Sequence, residues 1–126
     1  MADGGYDISD HTAVDPSFGD LAAFDRLLDE AHRRGVRLLI EFVPNHTSDR
    51  HPWFLESRSG RGAPRRGWYI SADSASDGGP PNNWISAFGG PAWSYDDPSE
   101  QWYLHTFLPE QSDLNWLNPA VESASR

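Results

Sequence analysis

The sequence predicts an α/β fold organised on a parallel sheet, and three observations carry that expectation. From Asp20 to Arg34 the apolar residues fall at Leu21, Phe24, Leu27, Leu28 and Ala31, which is one face of a helix. One glycine later, Val36 to Val43 (VRLLIEFV) is nearly continuous in apolar residues and too short to show a helical period. Such a run suits a strand buried on both faces of a parallel sheet. Beyond Thr47 the periodicity disappears, and aromatic residues recur among Gly- and Pro-rich stretches. A helix, a single glycine and a buried strand make one α-to-β step. The irregular stretch reads as a separate, partly β region.

Taken in order, residues 1–19 read as loop, punctuated by Gly4-Gly5, Asp15-Pro16 and Gly19. Asp20 stands at the start of the helix and Arg33-Arg34 at its end, the arrangement that the helix dipole favours. Gly35 is a helix stop, and Pro44 ends the strand. His51 to Ser57 (HPWFLES) predicts a short helix with Pro near its start. Residues 58–67 predict a loop. Trp68 to Ile70, Trp84 to Phe88 and Gln101 to Phe107 predict three short strands, the first two separated by Gly78-Gly79-Pro80-Pro81. Asn118-Pro119 predicts the N-cap and first position of another helix. No internal repeat is present.

Composition narrows the function classes. Hydrophobic residues make up 37% of the chain, which allows only a thin core, yet there are six Trp. Such rings, flat with a polar handle, suit sugar faces and interfaces as well as cores. The net charge is -9, and all ten basic residues are Arg. Nucleic-acid binding needs clustered cations to displace counterions. The one cluster, Arg58, Arg61, Arg65 and Arg66, lies in a Gly-rich stretch and reads as a solvated loop. There is no Cys, so disulfides and thiolate chemistry are excluded. No apolar run approaches membrane-spanning length, and the first residues lack the pattern of a signal peptide. Neither nucleic acid nor membrane is expected as a partner, and a cytoplasmic location is expected.

Polar residues at the C-terminal edge of a buried parallel strand usually line a site, because the loops leaving that edge build the pocket. That edge presents Asn45 and His46, followed by Thr47, Ser48 and Asp49. Spacing alone leaves two readings open, a binding edge and a turn holding a satisfied histidine.

Three segments carry a resemblance. VRLLIEFVPNHTSDRHPWF, from Val36 to Phe54, resembles the third-strand motif of glycoside hydrolase family 13, the α-amylase family. MADGGYDISDHTAVD, from Met1 to Asp15, is similar to the loop after the second barrel strand of its α-glucosidase and oligo-1,6-glucosidase members. Gln111 to Trp116 (QSDLNW) is similar to the Gln-Pro-Asp-Leu-Asn signature near the end of their inserted domain. The segments occur in family order and at family spacing. Three departures stand out: Glu41 where Asp is usual, Ser112 where Pro is usual, and His11 where an aromatic ring is common.

The resemblance implies part of a (β/α)8 TIM barrel, with residues 1–44 holding a loop, the second barrel helix and the third strand. It implies a partly β insertion, domain B, at 45–118, and the start of the next barrel helix at 119–126. It implies a retaining glycosidase acting on α-glucosidic oligosaccharides. By the same resemblance, His46 hydrogen-bonds the glucosyl unit at subsite -1, Tyr6 stacks beneath it, and Asp3 grips hydroxyls of the non-reducing end. Asn45 matches a calcium-binding residue of the amylases proper and is read here as structural, so no cofactor is expected and calcium is possible. Asp113 and Asn115 touch the same region, and His105 is expected to pack within domain B. Retaining glycosidases need two carboxyl groups about 5 Å apart. In the family these follow the fourth and fifth strands, so the resemblance implies that the 126 residues alone do not catalyse. A stand-alone carbohydrate-binding or interaction module is a second reading, and a related transglycosylase or isomerase, such as a trehalose synthase, a third.

Overall fold

The computed structural model describes residues 2–126. They form two compact units, one of Asp10–Phe42 and one that joins the residues up to Ser9 with Val43–Arg126.

The smaller unit is organised by helix α1, Leu21–Arg33. Its start follows from Asp20, whose carboxylate accepts from Ala23 N at 2.7 Å and satisfies one of the unpaired first-turn donors. Its end follows from Gly35, which at φ 72° adopts the left-handed conformation that a side chain resists. Val36 N then donates to Ala31 O (2.9 Å) and Gly35 N to His32 O (3.0 Å), closing a Schellman motif. No residue of α1 is buried. The expected strand at Val36–Val43 is not formed: these residues have no regular secondary structure, and Leu39 is 94% exposed. A parallel strand exists only through hydrogen bonds to neighbours on its flanks. No strand among the described residues pairs with this segment, so its apolar pattern has nothing to bury against.

The larger unit holds two antiparallel sheets. Strands β1 (His46–Ser48) and β5 (Gln111–Asp113) pair with His46 opposite Asp113 and Ser48 opposite Gln111. Strands β2 (Ser71–Ala72), β3 (Trp93–Asp96) and β4 (Gln101–Leu104) form the second sheet in the order β2-β4-β3. Helix α2 (Pro52–Arg58) starts where Pro52 requires no hydrogen-bond partner, and His51 Nδ1 accepts from Trp53 N at 3.1 Å. Helix α3 (Pro119–Ala124) repeats the device with Asn118 as cap.

Two of the three expected short strands shift. Trp68 closes a 3-10 turn, Arg66–Trp68, Tyr69 makes an isolated bridge to Leu114, and the ladder to β4 begins at Ser71. Residues 84–88 make only one isolated bridge, Ile85 to Pro91, because the glycines 89 and 90, both at positive φ, turn the chain back at once. The third strand ends at Leu104.

The core is two aromatic-rich clusters. Phe54, Tyr69, Leu114 and Val121 form one, flanked by Trp53, Trp68 and Tyr103. Ala92, Trp93 and Leu104 form the other, flanked by Ile70, Ala72 and Trp102. Much of the Trp content is therefore packing, while Trp84 and Trp116 remain exposed. The arginine cluster is not the solvated loop that its composition suggests. Arg58 binds the buried Asp96 through Nε (2.8 Å) and Nη2 (2.6 Å). Arg61 holds the Ser99 and Glu100 carbonyls, Arg65 pairs with Glu56, and Arg66 reaches the Ser57 carbonyl and Gln101 Oε1. Burial pulls the Arg66 guanidinium below its usual range, with Asp96 opposing that pull.

Candidate functional site

Strand β1 carries His46 into the larger unit, where it is 4% exposed. Its Nε2 lies 3.0 Å from the Tyr6 carbonyl oxygen. A carbonyl only accepts, so Nε2 carries the proton and donates. Nδ1 lies 3.3 Å from Asn45 Nδ2, which donates to it. Nε2 thus donates and Nδ1 accepts, a tautomer set by two neighbours. The Phe107 ring stands 5.4 Å away, centroid to centroid. In this arrangement both nitrogens of His46 are engaged. A sugar hydroxyl would reach the ring by sharing the Nε2 proton with Tyr6 or by displacing that carbonyl.

Asp113, opposite His46 across the ladder, is 5% exposed. Its Oδ1 accepts from Asn45 Nδ2 (3.1 Å) and Thr106 N (2.9 Å), and its Oδ2 accepts from Thr106 Oγ1. Asn115 binds the Gly67 carbonyl at 3.0 Å through Nδ2 and plays a structural part away from His46. Calcium takes six to eight oxygens; in this arrangement Asn45 directs its Nδ2 to His46 and Asp113. Among the described residues no group of three or more His, Asp or Glu is placed to hold a metal.

Asp3 comes to the same ladder from the chain start. Its Oδ2 accepts from Gln111 Nε2 at 2.9 Å. Gln111 is fully buried, and its Oε1 accepts from Leu108 N at 3.0 Å. That second bond fixes the amide so that its N–H2 faces Asp3. The loop around Asp3 is shaped by Asp7, which accepts from Ala2 N (2.7 Å) and Asp3 N (3.1 Å). Partial burial works to raise the Asp7 carboxyl, but these N–H donors outweigh it and hold it below the usual carboxylate range. The Tyr6 ring is 46% exposed. Ile8 O accepts from Ser48 N at 2.9 Å and ties the loop to β1.

The residues singled out in the sequence thus meet around one ladder: Asp3 and Tyr6 from the first loop, Asn45 just before β1, His46 from β1, and Asp113 from β5. His105 is elsewhere. It is buried, donates from Nδ1 to Phe107 O (3.0 Å) and accepts at Nε2 from Ser94 Oγ (3.0 Å), as a packing histidine does. Sequence reasoning missed Thr106, and it quoted Gln111 only as part of a signature. Neither carries a local pattern; Thr106 acts on Asp113 seven residues on, and Gln111 acts on Asp3 from the far end of the chain.

The sequence matches the family described as alpha amylase, catalytic domain, over residues 1–125. The chain belongs to the α-amylase family. It is 56% identical over 124 residues to a probable alpha-glucosidase of Rhizobium meliloti, covering 98% of this chain and 22% of that protein. It is 51% identical over 119 residues to an oligo-1,6-glucosidase of Heyndrickxia coagulans, covering 94% of this chain and 21% of that protein. Among solved structures, an alpha-glucosyl transfer enzyme superposes with a TM-score of 0.97 at 55% identity, over 99% of this chain and 23% of the other. The chain therefore spans about a fifth of the length of these relatives. Its fold corresponds to a region of a family whose catalytic domain is a TIM barrel. No helix among the described residues is long and apolar enough to cross a membrane.

Proposed function

We propose that this chain supplies part of the glucose-binding subsite of a retaining α-glucosidase-type hydrolase acting on α-glucosidic oligosaccharides. The observation that carries the reading is the convergence of Asp3 and Tyr6 with His46, 40 or more residues further along, on the β1–β5 ladder through the Asp3–Gln111 and His46–Tyr6 bonds. Asp3 offers a carboxylate to sugar hydroxyls, and the half-exposed Tyr6 ring offers a face to a pyranose. His46 bonds the Tyr6 carbonyl, and Asp3 is held two ladder positions along through Gln111, which pairs with Ser48. The division into a barrel segment (1–44), domain B (45–118) and the next barrel helix (119–126) belongs to this proposal, as does a cytoplasmic location. No cofactor is invoked.

By resemblance, the nucleophile and the acid/base carboxylates stand in segments outside these 126 residues. The chain alone should leave a chromogenic α-glucoside intact; turnover by the purified chain would overturn that assignment. In an enzyme carrying this segment, His46→Ala should lower kcat/KM roughly 5- to 150-fold, the equivalent of a substrate hydrogen bond worth about 1–3 kcal/mol. Unchanged turnover with intact folding would remove His46 from the site. A transferase reading has its own support in the similarity to the alpha-glucosyl transfer enzyme. The ratio of transfer products to free glucose, with maltose as donor and acceptor, separates the two.

A further inference from the structure

We infer that Thr106 is a positioning residue for His46, acting through Asp113 and Asn45 to set the histidine's tautomer. The inference rests on the proposed role of His46 only for its catalytic consequence.

Thr106 presents two donors to the Asp113 carboxylate, its N to Oδ1 at 2.9 Å and its Oγ1 to Oδ2. Two donors on one residue, directed at both oxygens, fix the plane of the Asp113 carboxylate. Oδ1 then faces Asn45, whose Nδ2 lies 3.1 Å away. An amide oxygen at that position would meet a carboxylate oxygen, so Asn45 presents its N–H2 and not its carbonyl. The second hydrogen of that group reaches His46 Nδ1 at 3.3 Å. Nδ1 must therefore accept, the proton resides on Nε2, and Nε2 donates to the Tyr6 carbonyl at 3.0 Å. Each link dictates the next because each partner has only one role left. If the carboxylate turns, Asn45 is free to flip, and a flipped amide would favour a proton on Nδ1. That tautomer leaves Nε2 with a lone pair facing the Tyr6 carbonyl oxygen, so His46 and the Tyr6 loop would move apart.

Thr106 follows β4 and belongs to none of the three segments that carry the family resemblance. It is solvent-exposed; its carbonyl accepts from Ala87 N (2.8 Å), a backbone bond that side-chain substitution leaves in place, and its side chain presents one donor to Asp113.

The test uses a complete enzyme carrying this segment, with histidine-selective 15N labelling. The wild type should show His46 as the Nε2–H tautomer. Thr106→Val removes one donor at nearly constant volume and should give a mixed or Nδ1–H signal for His46, while His105 is unchanged. Thr106→Ser keeps the hydroxyl and should restore the wild-type signal. On hydrolysis of a chromogenic α-glucoside, Thr106→Val should lower kcat/KM about tenfold, in line with one charge-assisted hydrogen bond, and Thr106→Ser should recover it. A His46 signal that is the same in all three proteins overturns the positioning role. A shifted tautomer with unchanged kcat/KM leaves the positioning intact and removes His46 from the substrate site, so the two readings fail separately. A purely structural Thr106 would lower the melting temperature without moving the tautomer.

Discussion

Replacing Asp113 by alanine should destabilise the chain by about 3 kcal/mol, and replacing it by asparagine by about 1 kcal/mol. The difference follows from counting donors. Three converge on the Asp113 carboxylate: Asn45 Nδ2, Thr106 N and Thr106 Oγ1. Alanine removes both acceptors and orphans all three. A hydrogen bond to a charged group is worth about 1.5–3 kcal/mol when both sides are sealed from water. Here Asn45 and Thr106 are exposed, so water replaces part of each bond, and about 1 kcal/mol per donor is the appropriate figure. Asparagine keeps a carbonyl at Oδ1, where Asn45 Nδ2 and Thr106 N still donate. Its new N–H2 stands at Oδ2, where the Thr106 hydroxyl rotates and accepts. The number of bonds is preserved and only the charge is lost. Urea unfolding followed by tryptophan fluorescence measures both variants against the parent chain. Equal destabilisation by the two would show that charge, not bond count, holds the network. A loss below about 0.5 kcal/mol for alanine would show that the network contributes no stability.

Phe54, 3% exposed and in edge contact with Tyr69 and Tyr103 at 5.1 Å each, should cost about 3–5 kcal/mol as Phe54→Ala in the same urea assay; a loss under 1 kcal/mol would mean the cluster repacks. Ser112 is fully buried, and its Oγ has no hydrogen-bond partner among the described residues. Ser112→Ala should therefore be neutral or raise the urea midpoint, and a clear destabilisation would reveal a partner for the hydroxyl. Burial pushes the Tyr69 phenol above its ordinary value, against the opposing hydrogen bond from Thr47, and burial does the same to Tyr103. The folded chain thus keeps protons that the unfolded chain releases near pH 10. This stability is complete below about pH 10 and is lost as pH rises beyond it. Absorbance at 295 nm should show part of the tyrosinate signal appearing only with unfolding; a single titration of all four tyrosines near pH 10 in the folded chain would contradict this.

The local elements were legible where the information is local. Asp20 and Gly35 bracket α1 because a cap and a left-handed stop act within a few residues, and His51-Pro52 and Asn118-Pro119 announce α2 and α3 in the same way. Strand positions were less legible. The short strands of the larger unit are defined by their partners, so Trp68, which looks strand-like alone, falls in a 3-10 turn, and Trp84 has no regular secondary structure beside the isolated bridge at Ile85. The polar strands His46–Ser48 and Gln111–Asp113 carry no alternation and went unpredicted as strands, although both lie in segments that marked the family.

By itself, then, the sequence determined the family, the helices and the candidate residues Asp3, Tyr6 and His46, because these rest on ordered motifs and short-range capping. Only the tertiary structure decided which groups hold those residues. Gln111 fixes Asp3, and Thr106 and Asp113 orient Asn45 and with it His46. Hydrogen-bond roles are assigned by whichever partner the fold brings within about 3 Å, and those partners stand 60 or more residues away in the chain. The apolar stretch Val36–Val43 shows the same limit from the other side: its composition suits a buried parallel strand, but a strand requires neighbours, and none of the described residues supplies one.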